Sequence, residues 1–100
     1  MEQVQQLSDF FKAIEGDGRI APMHICVYAA LLYYRHLHRL ENPFHVFSYE
    51  IMSIAKISNK STYHKSIRAL NEYGYLHFKS TRKKNKGSTV HLFLVKDEIV

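Results

Sequence analysis

The sequence predicts a single α+β domain, mainly helical, that closes on a C-terminal β-hairpin. Three observations carry this. Apolar residues recur at three- and four-residue steps through most of the chain and switch to alternation after Gly74. Glycine, proline or asparagine punctuates the changes, at Gly16-Asp17-Gly18, Asn42-Pro43, Gly74 and Asn85 with Gly87. The length of 100 residues, with 46% hydrophobic content, suffices for one core spanning residues 1–100 and leaves little for a second.

The first helix is expected over residues 2–15. Val4, Leu7, Phe11 and Ile14 form its apolar stripe, with Phe10 beside it, while Gln3, Gln6, Asp9 and Lys12 face away. Gly16-Asp17-Gly18 ends it as a helix-to-helix turn and nothing more. Pro22 suits the first position of a second helix, where its missing N–H costs nothing, and the pattern continues to about Leu40. The middle of that helix, residues 25–34, is apolar nearly all round, so it is either central in the domain or partly covered by another chain. Arg35, His36, His38 and Arg39 at its end suit the negative pole of the helix dipole.

Asn42-Pro43 breaks the pattern, and residues 45–47 read as a short extended piece that could add a third strand. Ser48 follows as an expected N-cap for a short helix over residues 49–56 that buries Ile51, Met52, Ile54 and Ala55. A tight connection at Ile57-Ser58 leads to the next helix, with Ser58 as its cap. That helix buries Tyr63, Ile67 and Leu70, flanked by Ser66 and Tyr73, and stops at Gly74. Residues 75–80 and 89–95 are expected strands, with Leu76 and Phe78 on one face of the first and Val90, Leu92 and Leu94 on one face of the second. Residues 96–100 read as a tail.

Charge is segregated along the chain. Residues 58–88 hold eight basic side chains against one acid, Glu72, for a net +7, whereas the remainder is −2. The positive field therefore belongs to the C-terminal half, as expected of a nucleic-acid footprint. The lone cysteine, Cys26, excludes an internal disulfide and points to a reducing, cytoplasmic setting. In its apolar helix it reads as a small core residue. The N-terminus lacks the pattern of a signal peptide, and the stretch over residues 20–34 falls short of a membrane span, so a soluble protein is expected.

Two helices joined by three or four residues, the second with a polar leading edge, form a helix-turn-helix. With the short strand before them and the strand, basic loop and strand after them, the order resembles the winged helix-turn-helix DNA-binding proteins. The resemblance covers residues 20–95 and leaves an extra N-terminal helix outside. It is closest to small bacterial transcription regulators and mobile-element or replication-initiator modules. It is carried by Lys60-Ser61-Thr62-Tyr63-His64 through Leu70 and by Tyr73-Gly74-Tyr75-Leu76. It implies that a recognition helix reads a groove of double-stranded DNA while the C-terminal hairpin wing holds phosphates beside it.

On the recognition helix, Lys60, Lys65 and Arg68 can bond guanine edges or phosphates, and Asn59 an adenine edge or a backbone oxygen. Ser58, Ser61 and Thr62 sit where a helix start can donate to phosphate, and His64 is placed for a phosphate or a base. In the wing, Lys79, Arg82, Lys83, Lys84 and Lys86 would supply phosphate contacts. The bland alternative is that these residues are caps and solvated charges.

Other chemistries find little support. His36 and His38 are two apart and point to nearly opposite sides of a helix. A hairpin centred near Lys84 would set His77 opposite His91, but no carboxylate or thiolate accompanies the pair, so no metal or other cofactor is expected. No Gly-rich phosphate loop, paired carboxylates or nucleophile motif is visible, and the chain does not read as an enzyme. A homodimer is expected, because two half-sites need two recognition helices, with Val4, Leu7, Phe10, Phe11 and Ile14 as the dimerisation stripe. The competing readings are an interaction module of a replication or partition complex and an RNA-binding protein of the same fold.

Overall fold

Three of the four helices end in the same way, and that pattern sets the path of the chain. The computed structural model describes residues 2–80 and 87–93, without the side chains of Glu2 and Gln3. Its elements are α1 (Glu2–Ala13), α2 (Pro22–Leu37), β1 (Phe44–Val46), α3 (Ser48–Ala55), α4 (Lys60–Glu72), β2 (Leu76–Lys79) and β3 (Ser88–Leu92). It is an α+β fold, mainly helical, with one small antiparallel sheet.

After α2, α3 and α4 a residue with positive φ turns the chain: Arg39 at 51°, Lys56 at 62° and Gly74 at 90°. The next N–H then reaches back to an unpaired helix carbonyl. Leu40 bonds Arg35 at 3.0 Å, Ile57 bonds Met52 at 3.0 Å and Tyr75 bonds Leu70 at 3.0 Å. This is the Schellman arrangement, and only the third case uses the expected glycine. Arg39 stops α2 at Leu37, short of the predicted Leu40.

The helix starts are secured by side chains, though not by those predicted. Asn59 rather than Ser58 caps α4, its Oδ1 accepting from the Thr62 N–H at 3.0 Å. Ser48 lies inside α3, and Phe47 is the residue before it. There the Glu50 carboxylate accepts from the Phe47 N–H at 3.2 Å and from the Tyr34 hydroxyl at 3.1 Å, which ties α3 to α2.

The sheet runs in the order β1-β3-β2, both pairs antiparallel. Phe44 pairs with Val90 and Leu76 with Leu92. The predicted third strand is therefore present, pairing with the last one. Phe44, Val46, Leu76, Val90 and Leu92 are buried on the inner face, whereas His45, His77, Lys79 and His91 lie exposed on the outer one. Leu94 and Val95, predicted in the last strand, and the tail lie outside the described residues. Two asparagines dock the sheet. The Asn42 amide both donates to Leu92 O at 2.9 Å and accepts from Leu92 N at 3.1 Å. Asn71 Oδ1, on α4, accepts from Phe78 N at 2.8 Å.

The core lies between α2, α4 and the inner sheet face. Val27, Leu31, Ile51, Ile67 and Leu70 are fully buried there, and Tyr63 nearly so. In α3 only Ile51 is buried; Met52, Ile54 and Ala55, expected with it, are half-buried. Burial raises the Tyr28 and Tyr63 hydroxyl pKa values to about 12.

α1 departs most from expectation. Its buried residues are Phe10 and Gln6, while Val4 and Phe11 stay 52% and 46% exposed. Leu7 and Ile14 are half-buried. Phe10 stacks on Tyr28, centroids 3.8 Å apart and rings 6° from parallel, and meets the edge of Tyr75 at 5.6 Å. The helix is thus turned so that Phe10 fills the slot between the two tyrosines and the Val4/Phe11 edge faces out. Cys26 is exposed, contrary to its predicted place in the core. The α2 surface there faces away from α4 and the sheet.

The Gly16-Asp17-Gly18 turn does more than reverse the chain. Asp17 accepts the Tyr75 hydroxyl at 2.6 Å and bonds the Arg19 guanidinium through both oxygens at 2.8 Å. Arg19 in turn covers the Tyr73 ring at 4.1 Å from its centroid. The turn is thus fastened to the chain leaving α4. The hydrogen bonds from Arg19 and Tyr75 hold the Asp17 carboxyl well below the usual carboxylate range.

Candidate nucleic-acid interface

α4 divides cleanly by face. Tyr63, Ser66, Ile67 and Leu70 are buried, and the Ser66 hydroxyl satisfies itself on Thr62 O at 2.9 Å. The helical period then carries Lys60, Ser61, Lys65 and Arg68 outward, all exposed, as are Ser58 and Asn59 just before the helix. Thr62 and His64, expected outside with them, are half-buried on the flanks. Lys56 adds a further exposed cation in the turn between α3 and α4; sequence patterning gave it no role because its left-handed backbone was not foreseen.

The cations on this face are uncompensated. Among the described residues the only ion pair is Arg19 with Asp17. Lys56, Lys60, Lys65 and Arg68 therefore keep their donors for a partner. The one acid of α4, Glu72, stands at the opposite end from Lys60. The positive pole of the helix dipole adds to the field at that leading end.

Hydrogen bonds already made restrict what the polar residues here can offer. Asn59 engages one lone pair of Oδ1 with the Thr62 N–H, so its NH2 donor and one further lone pair are left. Its orientation is fixed by that bond, which limits the angles from which a base edge or a phosphate can reach it. Both options read from sequence, an adenine edge and a backbone oxygen, stay open to it. His64 Nδ1 lies 3.1 Å from Lys60 O. A carbonyl only accepts, so that nitrogen carries the proton and Nε2 keeps the lone pair in the neutral ring. Burial lowers the His64 pKa; the bond to Lys60 O opposes this, while the Arg68 and Lys60 charges add to the lowering.

The remaining predicted site residues divide into three groups. Lys79 is exposed at the end of β2, on the strand that leads to the basic loop. Arg82, Lys83, Lys84 and Lys86 lie outside the described residues. Gly87 marks the return of the chain, at φ 64°, and packs so closely on β1 that a β-carbon there would overlap Val46 O. Of the expected dimerisation stripe, Val4 and Phe11 are exposed, Leu7 and Ile14 half-buried and Phe10 buried. Phe10 is enclosed in its own chain, while Tyr33 and Leu37 of α2 are exposed like Val4 and Phe11 of α1.

His77 does pair with His91 across the hairpin. Among the described residues no group of three or more histidine, cysteine or carboxylate side chains is placed to hold a metal ion. The tyrosine-rich α2 lines a groove of about 360 Å³ at its C-terminal end, through Tyr34 with Pro43 and Phe44. No described helix is long and apolar enough to cross a membrane. No protein-family model matches this chain, and neither a curated protein nor a solved structure matches it.

Proposed function

We propose that this chain binds double-stranded DNA as a winged helix-turn-helix protein, with α4 as the recognition helix and the loop between β2 and β3 as the wing. The observation that carries this reading is the outer face of α4. Lys60, Lys65 and Arg68 stand exposed and unpaired on the side opposite a fully buried stripe. Support comes from the four residues joining α3 to α4 and from the antiparallel pairing of β2 with β3, with β2 docked on α4 through Asn71. Regulation of transcription or assistance to a mobile element is the role we infer.

Selection from a random duplex library, followed by salt titration of the enriched site, tests the reading. Each phosphate neutralised contributes about −0.9 to the slope of log K against log salt. Replacing both Lys65 and Arg68 by alanine should make that slope shallower by about 1 to 2 if both meet phosphates. Lys83 and Lys84 replaced together should do the same for the wing. Absence of salt-sensitive binding to any duplex would dispose of the proposal.

A second reading, an interaction module within a larger assembly or a homodimer, is favoured by the exposed Val4, Phe11, Tyr33 and Leu37. Sedimentation of the protein with and without duplex separates these, since a dimer doubles the mass and a hetero-complex module stays monomeric.

A further inference from the structure

The charged groups on the α4 face are all donors, and phosphate oxygens only accept. The Ser58 and Ser61 hydroxyls can do either, and Asn59 Oδ1 has one lone pair in the helix cap, whereas Lys60, Lys65 and Arg68 can donate but never accept. Neutral His64 is the opposite. Its Nδ1 proton is committed to Lys60 O, and its Nε2 is left as a bare acceptor. That nitrogen is also in reach of solvent: among the described residues the only buried side-chain polar atom without a partner is Arg35 Nε. A neutral His64 therefore has nothing to offer a phosphate.

Its position suits a groove. His64 is one helical turn beyond Lys60 and seven residues before Asn71, so all three share one flank of α4. Asn71 meets β2 at Phe78, which makes this the flank nearest the hairpin. Resting on the duplex-binding reading above, we propose that His64 is a base-reading residue whose Nε2 accepts a hydrogen bond from an exocyclic amine in the major groove, the N6 of adenine or the N4 of cytosine. Guanine and thymine present acceptors on their major-groove edges and are rejected at that position. The surrounding donors fix the helix on the backbone, and His64 supplies discrimination. Partial burial, with the Arg68 and Lys60 charges added to it, outweighs the opposing bond to Lys60 O, disfavours a second proton on the ring and keeps the acceptor available.

The test uses the enriched duplex from the selection. Each adenine is replaced in turn by its analogue lacking the 6-amino group, and each cytosine by its analogue lacking the 4-amino group. The intact protein should lose affinity on the order of tenfold at one position. His64→Ala should bind the parent site more weakly by a similar factor and be indifferent to that one replacement. His64→Gln, whose amide oxygen can accept, should recover part of the preference, and circular dichroism checks that both variants are folded. Equal losses for the intact protein and His64→Ala at every position would overturn the proposal. So would affinity that rises on acidification from about pH 8 to 6 in the intact protein but not in His64→Ala, because an imidazolium would then be donating to phosphate. If no site is enriched and no duplex is bound at low salt, the DNA-binding reading falls and this one with it, an outcome distinct from binding without a role for His64.

Discussion

Gly87 is the point where the basic loop rejoins the sheet, and its replacement by alanine should be among the most damaging small changes in this chain. Two penalties combine there. An L-residue at φ 64° costs about 1–2 kcal/mol in the left-handed region. The added β-carbon would also fall on Val46 O and lie 3.0 Å from the Val46 carbonyl carbon. Relieving such overpacking costs about 1–3 kcal/mol, and backbone paired in a sheet gives way less easily than a side chain end. Together they predict a loss of about 2–5 kcal/mol. Gly74 supplies the control, since it sits at φ 90° and a β-carbon added there would meet no atom within 4 Å. Gly74→Ala should therefore cost only the backbone share, about 1–2 kcal/mol.

Urea denaturation of both variants measures the difference, read as a shift in midpoint at unchanged slope. Thermal melts should agree, because each kcal/mol corresponds to about 4–8 °C in a domain of this size. Should the two variants match within about 0.5 kcal/mol, the close approach of Gly87 to β1 is not present in solution. The reasoning that anchors the loop against that strand would then fail.

Three further outcomes are expected. Phe10→Ala should destabilise by about 3–5 kcal/mol by emptying the slot between Tyr28 and Tyr75, whereas Phe11→Ala should stay within about 0.5 kcal/mol; similar losses in chemical denaturation would mean that α1 packs by its other edge. Asn42→Ala, which strips Leu92 of both amide partners, should cost about 1–3 kcal/mol and speed amide exchange at Leu92; unchanged exchange there would contradict the docking of β3. The Arg19–Asp17–Tyr75 cluster makes two opposite pH limbs, the first set mainly by Arg19 and then by Tyr75. The depressed Asp17 carboxyl stabilises the fold above its ordinary value of 3.8, and that contribution is lost as pH falls below it. The Tyr75 hydroxyl, raised to about 12 by burial and by its bond to Asp17, stabilises below about pH 10 and loses that contribution as pH rises through 12. Stability measured against pH should flatten at the acid limb in Asp17→Asn and at the alkaline limb in Tyr75→Phe; unchanged limbs would remove the bond from the account.

Much of the fold was legible in the chain because burial repeats at the period of each element. The alternation of Leu76, His77, Phe78 and Lys79 foretold which side of β2 meets the core, and His77 opposite His91 followed from the hairpin's centre. Tyr63, Ile67 and Leu70 likewise placed the buried face of α4 and hence the cations opposite it. Helix ends were harder to read. Arg39 and Lys56 turn the chain without glycine, and no residue type announces a left-handed position when lysine or arginine occupies it. Caps were missed by one residue for a related reason. Ser58, Asn59 and Ser48 are all competent acceptors, and which one serves depends on where the preceding turn releases the backbone.

By itself the sequence determined the kinds of element, their order and the confinement of the net positive charge to residues 58–88. Those follow from local periodicity and composition, which need no knowledge of neighbours. Tertiary structure alone decided which edge of α1 turns inward, that Cys26 faces outward and that Asp17 fastens two distant turns. An apolar stripe is broad enough to dock over a range of rotations, and only the shape of the opposing surface selects one. The same holds at the candidate interface. Sequence named Asn59 and His64 as polar residues on α4, but their donor and acceptor roles depend on backbone atoms at Thr62 and Lys60 that fold into reach. Hydrogen-bond capacity is a property of the side chain; what remains of it for a partner is a property of the fold.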